Sequence, residues 1–285
     1  MLERPTSIPD NRGQAHAFLG GDDHRNGLSH ASRLARSREG SRSRIVMRLA
    51  RTILAAMVRS MIVHSIMYYL TTIEGITWRN DDYTAYKIVK AVKGERFNGY
   101  FELKIGHKNH RFTYGTVNEF LPILFHAITA TKMAAAVPGN FSIVPIPNST
   151  AVVGSNAEFR TLEHAKAIAG HLGQRADVVP ALRWIGEKTP GGSRDPQLHF
   201  RNLRAVARPA HPIVLYDDVI NTGSQMIGSY RRLAVDATPP LAGFVVGRAV
   251  KDQKTPTIGW AAEDVPVQEW PIDFDQLFGP GEIAT

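Results

Sequence analysis

The sequence predicts an α/β protein, a mostly parallel sheet flanked by helices, behind a basic N-terminal leader without fixed structure. Three observations point there. Short apolar runs at 141–144, 213–216 and 241–250 read as strands buried on both faces. Helical patterns at 119–135, 158–172 and after Met226 fall between or beside them, the alternation expected of parallel strands joined by crossover helices. The run 213–226 then combines an apolar strand, two adjacent carboxylates, a Gly-containing turn and the start of a helix.

At 285 residues and 43% hydrophobic content, the chain can bury a sizeable core. It has no cysteine, which excludes disulfides, thiolate metal sites and a cysteine nucleophile, and fits a reducing, cytoplasmic setting. The net charge of +8 is unevenly spread. Eleven of the 34 basic residues, all Arg, and five of the 26 acidic ones fall in 1–60, leaving 61–285 with 23 basic against 21 acidic residues. A nucleic-acid-binding body is therefore not supported by charge.

Residues 1–44 are rich in Ser, Arg, Gly and His and carry almost no apolar periodicity, so disorder is expected. The Arg bias also fits a translation start further on, at Met47, Met57 or Met61. Residues 45–60 read as a basic amphipathic helix or linker, and 61–285 as the folded domain. No apolar run reaches the roughly 18 residues of a membrane span.

Within the domain, 62–78 is apolar and β-branched, ambiguous between strand and buried helix. Asp81-Asp82 reads as the cap of a helix over 83–92, which Lys90, Lys93 and Gly94 close. Alternation at 99–105 and 110–114 about the turn 106–109 predicts a hairpin. Thr116 or Asn118 caps the apolar helix 119–135, which Pro138-Gly139 stops. After the strand 141–144 comes a Pro-x-Pro loop, 145–150, and the helix 158–172, capped by Gly173. A strand at 176–184 precedes a long polar loop at 185–202. Beyond 241–250 lie a turn at 252–258 and a tail, 261–278, in which Trp270, Phe274 and Phe278 are interleaved with acids. His64, His126, His164 and His171 sit in apolar or helical contexts that read as structural.

Residues 213–226 place Asp217 and Asp218 at a strand end and Asn221, Thr222, Gly223, Ser224 and Gln225 at a helix N-terminus. Free N–H groups and the positive dipole end suit a phosphate there, and the carboxylates suit sugar hydroxyls or Mg²⁺. A magnesium site of the receiver-domain kind and a plain solvated strand end share the acidic pair. The run resembles the phosphoribosyl-pyrophosphate (PRPP) motif of type I phosphoribosyltransferases. The resemblance implies that Asp217 and Asp218 hold the ribose hydroxyls, with Mg²⁺ bound directly, through PRPP or through water, and that 221–225 wrap the 5′-phosphate. Gln225 stands where the family usually has Thr. Asn221 stands where some members carry an Asp that exchanges a proton with the base.

The 145–150 loop and the Arg201–Arg204 run are similar, more narrowly, to ComF-type phosphoribosyltransferases, whose Cys-rich zinc module is missing here. This resemblance makes Asn148, Ser149, Thr150 and Arg160 candidate pyrophosphate contacts; the mobile loop that type I phosphoribosyltransferases carry at this point adds Lys188 and gives Arg194 a catalytic role beside Asp217 and Asp218. A Pro-fixed turn and a solvated loop account for the same segments without a ligand. The implied activity is Mg²⁺-dependent transfer of the phosphoribosyl group from PRPP to a nitrogenous base or amine, in nucleotide metabolism, salvage or a DNA-uptake-associated role; a homodimer is compatible with it. A non-catalytic module sensing PRPP or a nucleotide is the alternative.

Overall fold

The computed structural model describes residues 60–72, 74–105, 107–186 and 194–267. The leader, all but the last residue of the helix or linker expected at 45–60, Lys188 and the tail aromatics Trp270, Phe274 and Phe278 lie outside them. Ten strands are described: β1 (Ser60–Leu70), β2 (Tyr100–Ile105), β3 (Lys108–Thr113), β4 (Phe141–Pro145), β5 (Ala176–Val178), β6 (Leu182–Trp184), β7 (Leu203–Ala205), β8 (Ile213–Ile220), β9 (Ala242–Val250) and β10 (Ile258–Pro266). The helices are α1 (Asn80–Val92), α2 (Val117–Phe120), α3 (Ala127–Ala136), α4 (Arg160–Leu172), α5 (Pro196–Asn202) and α6 (Ser224–Asp236). Among the described residues no helix is long and apolar enough to cross a membrane.

Six strands form one sheet in the order β10-β1-β9-β8-β4-β5, parallel throughout except for β10, which runs antiparallel along β1. Central strands alternate between two cores. Ile143, Val214 and Phe244 face the core under α1, α3 and α4, while Val144, Leu215 and Val245 face the one under α6. That two-sided burial is why these strands read as unbroken apolar runs. The C-terminal ends of β1, β9, β8 and β4 all emerge on one edge.

Several expectations change. The apolar stretch at 62–78 resolves as β1, which ends at Leu70, and Asp82 is the N3 residue of α1 rather than its cap. Its carboxylate accepts hydrogen bonds from the Arg79 N–H at 2.8 Å, the Arg79 guanidinium at 2.9 Å and Gln253 Nε2 at 2.7 Å. The Arg79 bonds, more than any other contact, hold it near a pKa of about 2. Lys108 and Asn109 belong to β3, not to the hairpin turn. The helix expected over 119–135 divides into α2, a π-helical turn at Leu121–His126 and α3. Pro122, with no N–H to give the α ladder, lies in that wide turn.

The expected strand 176–184 splits at Pro180. Its second half leaves the main sheet to pair β6 with β7. The long loop ends in α5, begun by Asp195, whose carboxylate accepts from Gln197 N–H at 2.8 Å, and by Pro196 at the first helical position. α5 packs so closely on α6 that a Cβ at Gly228 would lie 2.6 Å from His199 Cβ. The start of the tail is β10, whose mixed burial on an antiparallel edge gives only a weak apolar pattern.

Candidate functional site

β8 runs past the acidic pair to Ile220, so Asp217 and Asp218 belong to the strand itself rather than to the turn after it. Only 221–223 then separate it from α6. Gly223 closes this turn at φ +81°, a conformation that glycine adopts without strain. The N–H groups of the first turn of α6 point out of the helix without partners inside it. Thr222 and Ser224 hydroxyls pair at 2.8 Å, and the Ser224 hydroxyl also donates to the Arg194 carbonyl.

The pair sits between two connected clefts. The first, about 510 Å³, is floored by Asp217 and Asp218 and walled by Pro147, Asn148, Arg160 and Lys93. The second, about 550 Å³, lies over the turn and is lined by Thr222, Gly223, Ser224, Arg194, Lys251 and Thr71. Asp217, Asn221 and Gln225 belong to both. Asp218 is buried and Asp217 half-buried. Burial, reinforced by the adjacent Asp218 carboxylate, pushes the Asp217 carboxyl well above the usual range. Asp217 Oδ1 accepts the Asp218 N–H at 2.8 Å.

No family model matches the chain, and no curated protein is significantly similar to it. The functional reading therefore rests on the geometry.

Long-range bonds join the pieces. Arg160, the first residue of α4, donates from Nε to Asp218 Oδ2 at 2.7 Å, adds a second, very short bond from the guanidinium, and gives another to the Lys93 carbonyl at 3.0 Å. Expected among pyrophosphate contacts near Asn148, it pairs with the buried Asp218 carboxylate and also walls the first cleft. Gln225 Nε2 donates to the Pro147 carbonyl at 2.8 Å. Where a Thr hydroxyl would face a phosphate, this side chain instead fastens the helix start to the Pro-x-Pro loop. Tyr69 Oη donates to Asn221 Oδ1 at 2.6 Å, so the Asn carbonyl is occupied and its NH₂ remains to donate. Burial, followed by the Asp218 charge, raises the Tyr69 pKa, which keeps this donor protonated.

Asn148 lines the first cleft, whereas Ser149 and Thr150 line neither; Asn148 Oδ1 instead accepts from Thr150 N–H and Oγ1 at 3.3 and 3.0 Å. Lys93, Tyr69, Thr71 and Lys251 are site residues the sequence reading did not single out. Apart from Lys93, which follows α1, they stand at or just after the C-terminal ends of β1 and β9. In an open parallel sheet that is where ligand-binding residues gather, so the positions were predictable once the strands were known. Among the described residues no group of three or more His, Cys, Asp or Glu forms a metal cage. Two adjacent carboxylates suit Mg²⁺, which takes one or two protein carboxylates and fills its remaining positions with water and substrate phosphate oxygens.

Proposed function

We propose that this domain is a phosphoribosyltransferase of the type I class that binds PRPP and releases pyrophosphate as it joins the sugar to a nitrogen acceptor. One observation carries the reading: an acidic pair, Asp218 buried and Asp217 half-buried, near the end of a parallel strand, with Asp218 five residues before the glycine that closes a helix N-terminus. The 5′-phosphate would sit on the N–H groups of 222–225, opposite the positive end of α6. Asp217 and Asp218 would accept the ribose hydroxyls. The pyrophosphate would lie in the first cleft, within reach of Asn148, Lys93 and Arg160. Mg²⁺, held by Asp217, Asp218 and the PRPP oxygens, would neutralise pyrophosphate charge as it leaves.

The residues contribute position and electrostatics, not covalent catalysis. The bond between the anomeric carbon and the pyrophosphate oxygen breaks with its electron pair leaving on pyrophosphate. The acceptor nitrogen donates a pair to that carbon and then loses its proton. Arg160, in the cleft given to pyrophosphate, and Arg194, in the cleft over the phosphate turn, each supply positive charge to one anionic group of PRPP. The second reading, a sensor without turnover, is favoured by Asn221, a carboxamide that cannot act as a base in the turn.

Calorimetric titration of PRPP with Mg²⁺ tests the reading. Two lost charge-assisted hydrogen bonds, each about 1.5–3 kcal/mol, predict that Asp217→Asn/Asp218→Asn weakens binding by at least about a hundredfold. Equal affinity in wild type and variant would remove the proposal. Pyrophosphate release on adding acceptors then separates enzyme from sensor.

A further inference from the structure

A third cleft opens on the same sheet edge, and the proposed chemistry does not yet use it. It measures about 560 Å³ and lies between α1 and the end of β1. Aromatic rings line it: Trp78 is 5.1 Å from Tyr83 and 5.5 Å, edge-on, from Tyr86, with Phe97 close by. The indole is anchored by donation from Nε1 to the Thr72 carbonyl at 3.2 Å, and Tyr83 remains half exposed. Every charged side chain lining the cleft is a cation: Lys87, Lys90 and Arg96. In a domain with nearly equal acids and bases, that is a local bias. Lys87 Nζ donates to the Tyr100 carbonyl at 2.7 Å, which leaves its charge without an anion there. Lys90 reaches Glu95 only at 3.9 Å, and Arg96 rests over the Tyr114 ring at 5.7 Å.

The cleft adjoins the proposed sugar site. Thr71 lines both this cleft and the one over the 221–223 turn, and Tyr69, on its wall, holds Asn221. Aromatic walls bind planar rings by stacking, and cations whose nearest carboxylate is no closer than the 3.9 Å of Lys90 to Glu95 favour a ring that carries negative charge. A neutral ring would gain the stacking alone, and a cationic amine would be repelled.

We infer that this cleft receives the acceptor, and that the acceptor is a planar nitrogen heterocycle bearing a carboxylate or similar acid group. The ring lies against Trp78 and Tyr86, with the acid group toward Lys90 and Arg96. This identification rests on the PRPP reading of Asp217 and Asp218, because only that reading makes the neighbouring cleft an acceptor pocket.

Matched pairs that differ only in charge test it: pyridine-3-carboxylate against pyridine-3-carboxamide, and 2,4-dioxopyrimidine-6-carboxylate against its carboxamide. Each is titrated calorimetrically into the full chain, with and without PRPP and Mg²⁺. Expected is a carboxylate preference of about tenfold or more in at least one pair, the ratio one charge-assisted hydrogen bond supports. Lys90→Gln/Arg96→Gln should abolish that preference and leave PRPP affinity unchanged. Equal or tighter binding of the amides overturns the inference. So does a preference that survives the double substitution, or no binding by any probe in either condition. Carboxylate-selective binding in a protein that does not bind PRPP overturns the acceptor role through failure of the sugar-site reading. PRPP binding without carboxylate selectivity overturns this inference alone.

Discussion

The two strand-to-helix connections that meet at the cleft are built in opposite ways. Between β8 and α6 the turn is three residues long and takes most of its shape locally, from one positive-φ glycine and the hydroxyls of Thr222 and Ser224, with Tyr69 and the Arg194 carbonyl as its two distant partners. Between β4 and α4 the chain wanders through 146–159, and other elements hold it in place. Trp184 Nε1 donates to Pro147 O at 3.1 Å, Gln225 Nε2 to the same carbonyl, and Thr161 Oγ1 to Ile146 O. The β6–β7 ribbon adds main-chain bonds, including Val153 N–H to Trp184 O at 2.8 Å. A short connection can encode a fixed anion site locally, whereas a long one depends on distant residues and adapts as they move.

The sharpest way to break this contrast is a matched pair of glycine substitutions. Gly223 (φ +81°) and Gly154 (φ +84°) carry the same backbone strain if replaced, and neither lacks room, the nearest side-chain atom to a Cβ at Gly223 being 3.5 Å away. Gly223→Val and Gly154→Val should each cost about 1–3 kcal/mol of stability, a drop of several degrees in melting temperature. Only Gly223→Val should also weaken PRPP binding, by about tenfold or more, and Gly223→Asn, which tolerates the left-handed region, should recover most of it. Equal loss of PRPP affinity in the two Val variants would erase the distinction.

A smaller effect sharpens the other side. Trp184→Phe removes the donor to Pro147 O and some ring area, at a cost of about 1–2 kcal/mol. Because this bond acts first on the long connection, with Gln225 Nε2 still holding the same carbonyl, pyrophosphate titration should show a several-fold loss while ribose 5-phosphate binds nearly as in wild type. A parallel loss for both ligands would mean that the two loops are not separately supported.

What could be read from the sequence follows the same division. The β8 strand, its acids, the turn and α6 were legible because each is specified within a dozen residues by apolar pattern and turn chemistry. α5 carried a usable sign in Asp195-Pro196, masked by the polar loop before it. The split at Pro180 was also marked, since proline cannot donate to a central ladder. The Arg160–Asp218, Gln225–Pro147 and Tyr69–Asn221 bonds were not legible. They join residues far apart in the chain, and no local pattern distinguishes a cation that meets a phosphate from one that pairs with a carboxylate.

The least disruptive test addresses Asp217, the acid both clefts share. Burial and the Asp218 charge raise its carboxyl pKa above the ordinary 3.8, so between 3.8 and the raised value the folded protein holds a proton there that the unfolded chain has lost. Stability tied to this group is present at low pH and is lost as pH rises from about 3.8 through the raised value. The buried pair beneath the site, His126 Nε2 to His164 Nδ1 at 2.9 Å, works in the opposite direction. Burial, and then the proximity of His164, lowers His126 from 6.5 to about 4, so its contribution is lost as pH falls from about 6.5 to about 4. Asn at 217 has no charge to bury and can keep an oxygen for the Asp218 N–H. Asp217→Asn should therefore gain on the order of 1 kcal/mol at pH 7, about 2–4 °C in melting temperature, while losing PRPP binding. The gain should shrink on acidification, and the variant's stability should fall more steeply than wild type between pH 6.5 and 4 because the opposing Asp217 effect is gone. Melting curves from pH 4 to 8 read both slopes. An Asp217→Asn protein less stable than wild type at pH 7 would show that this carboxylate is held for folding, and the case for a binding site kept at a cost in stability would go with it.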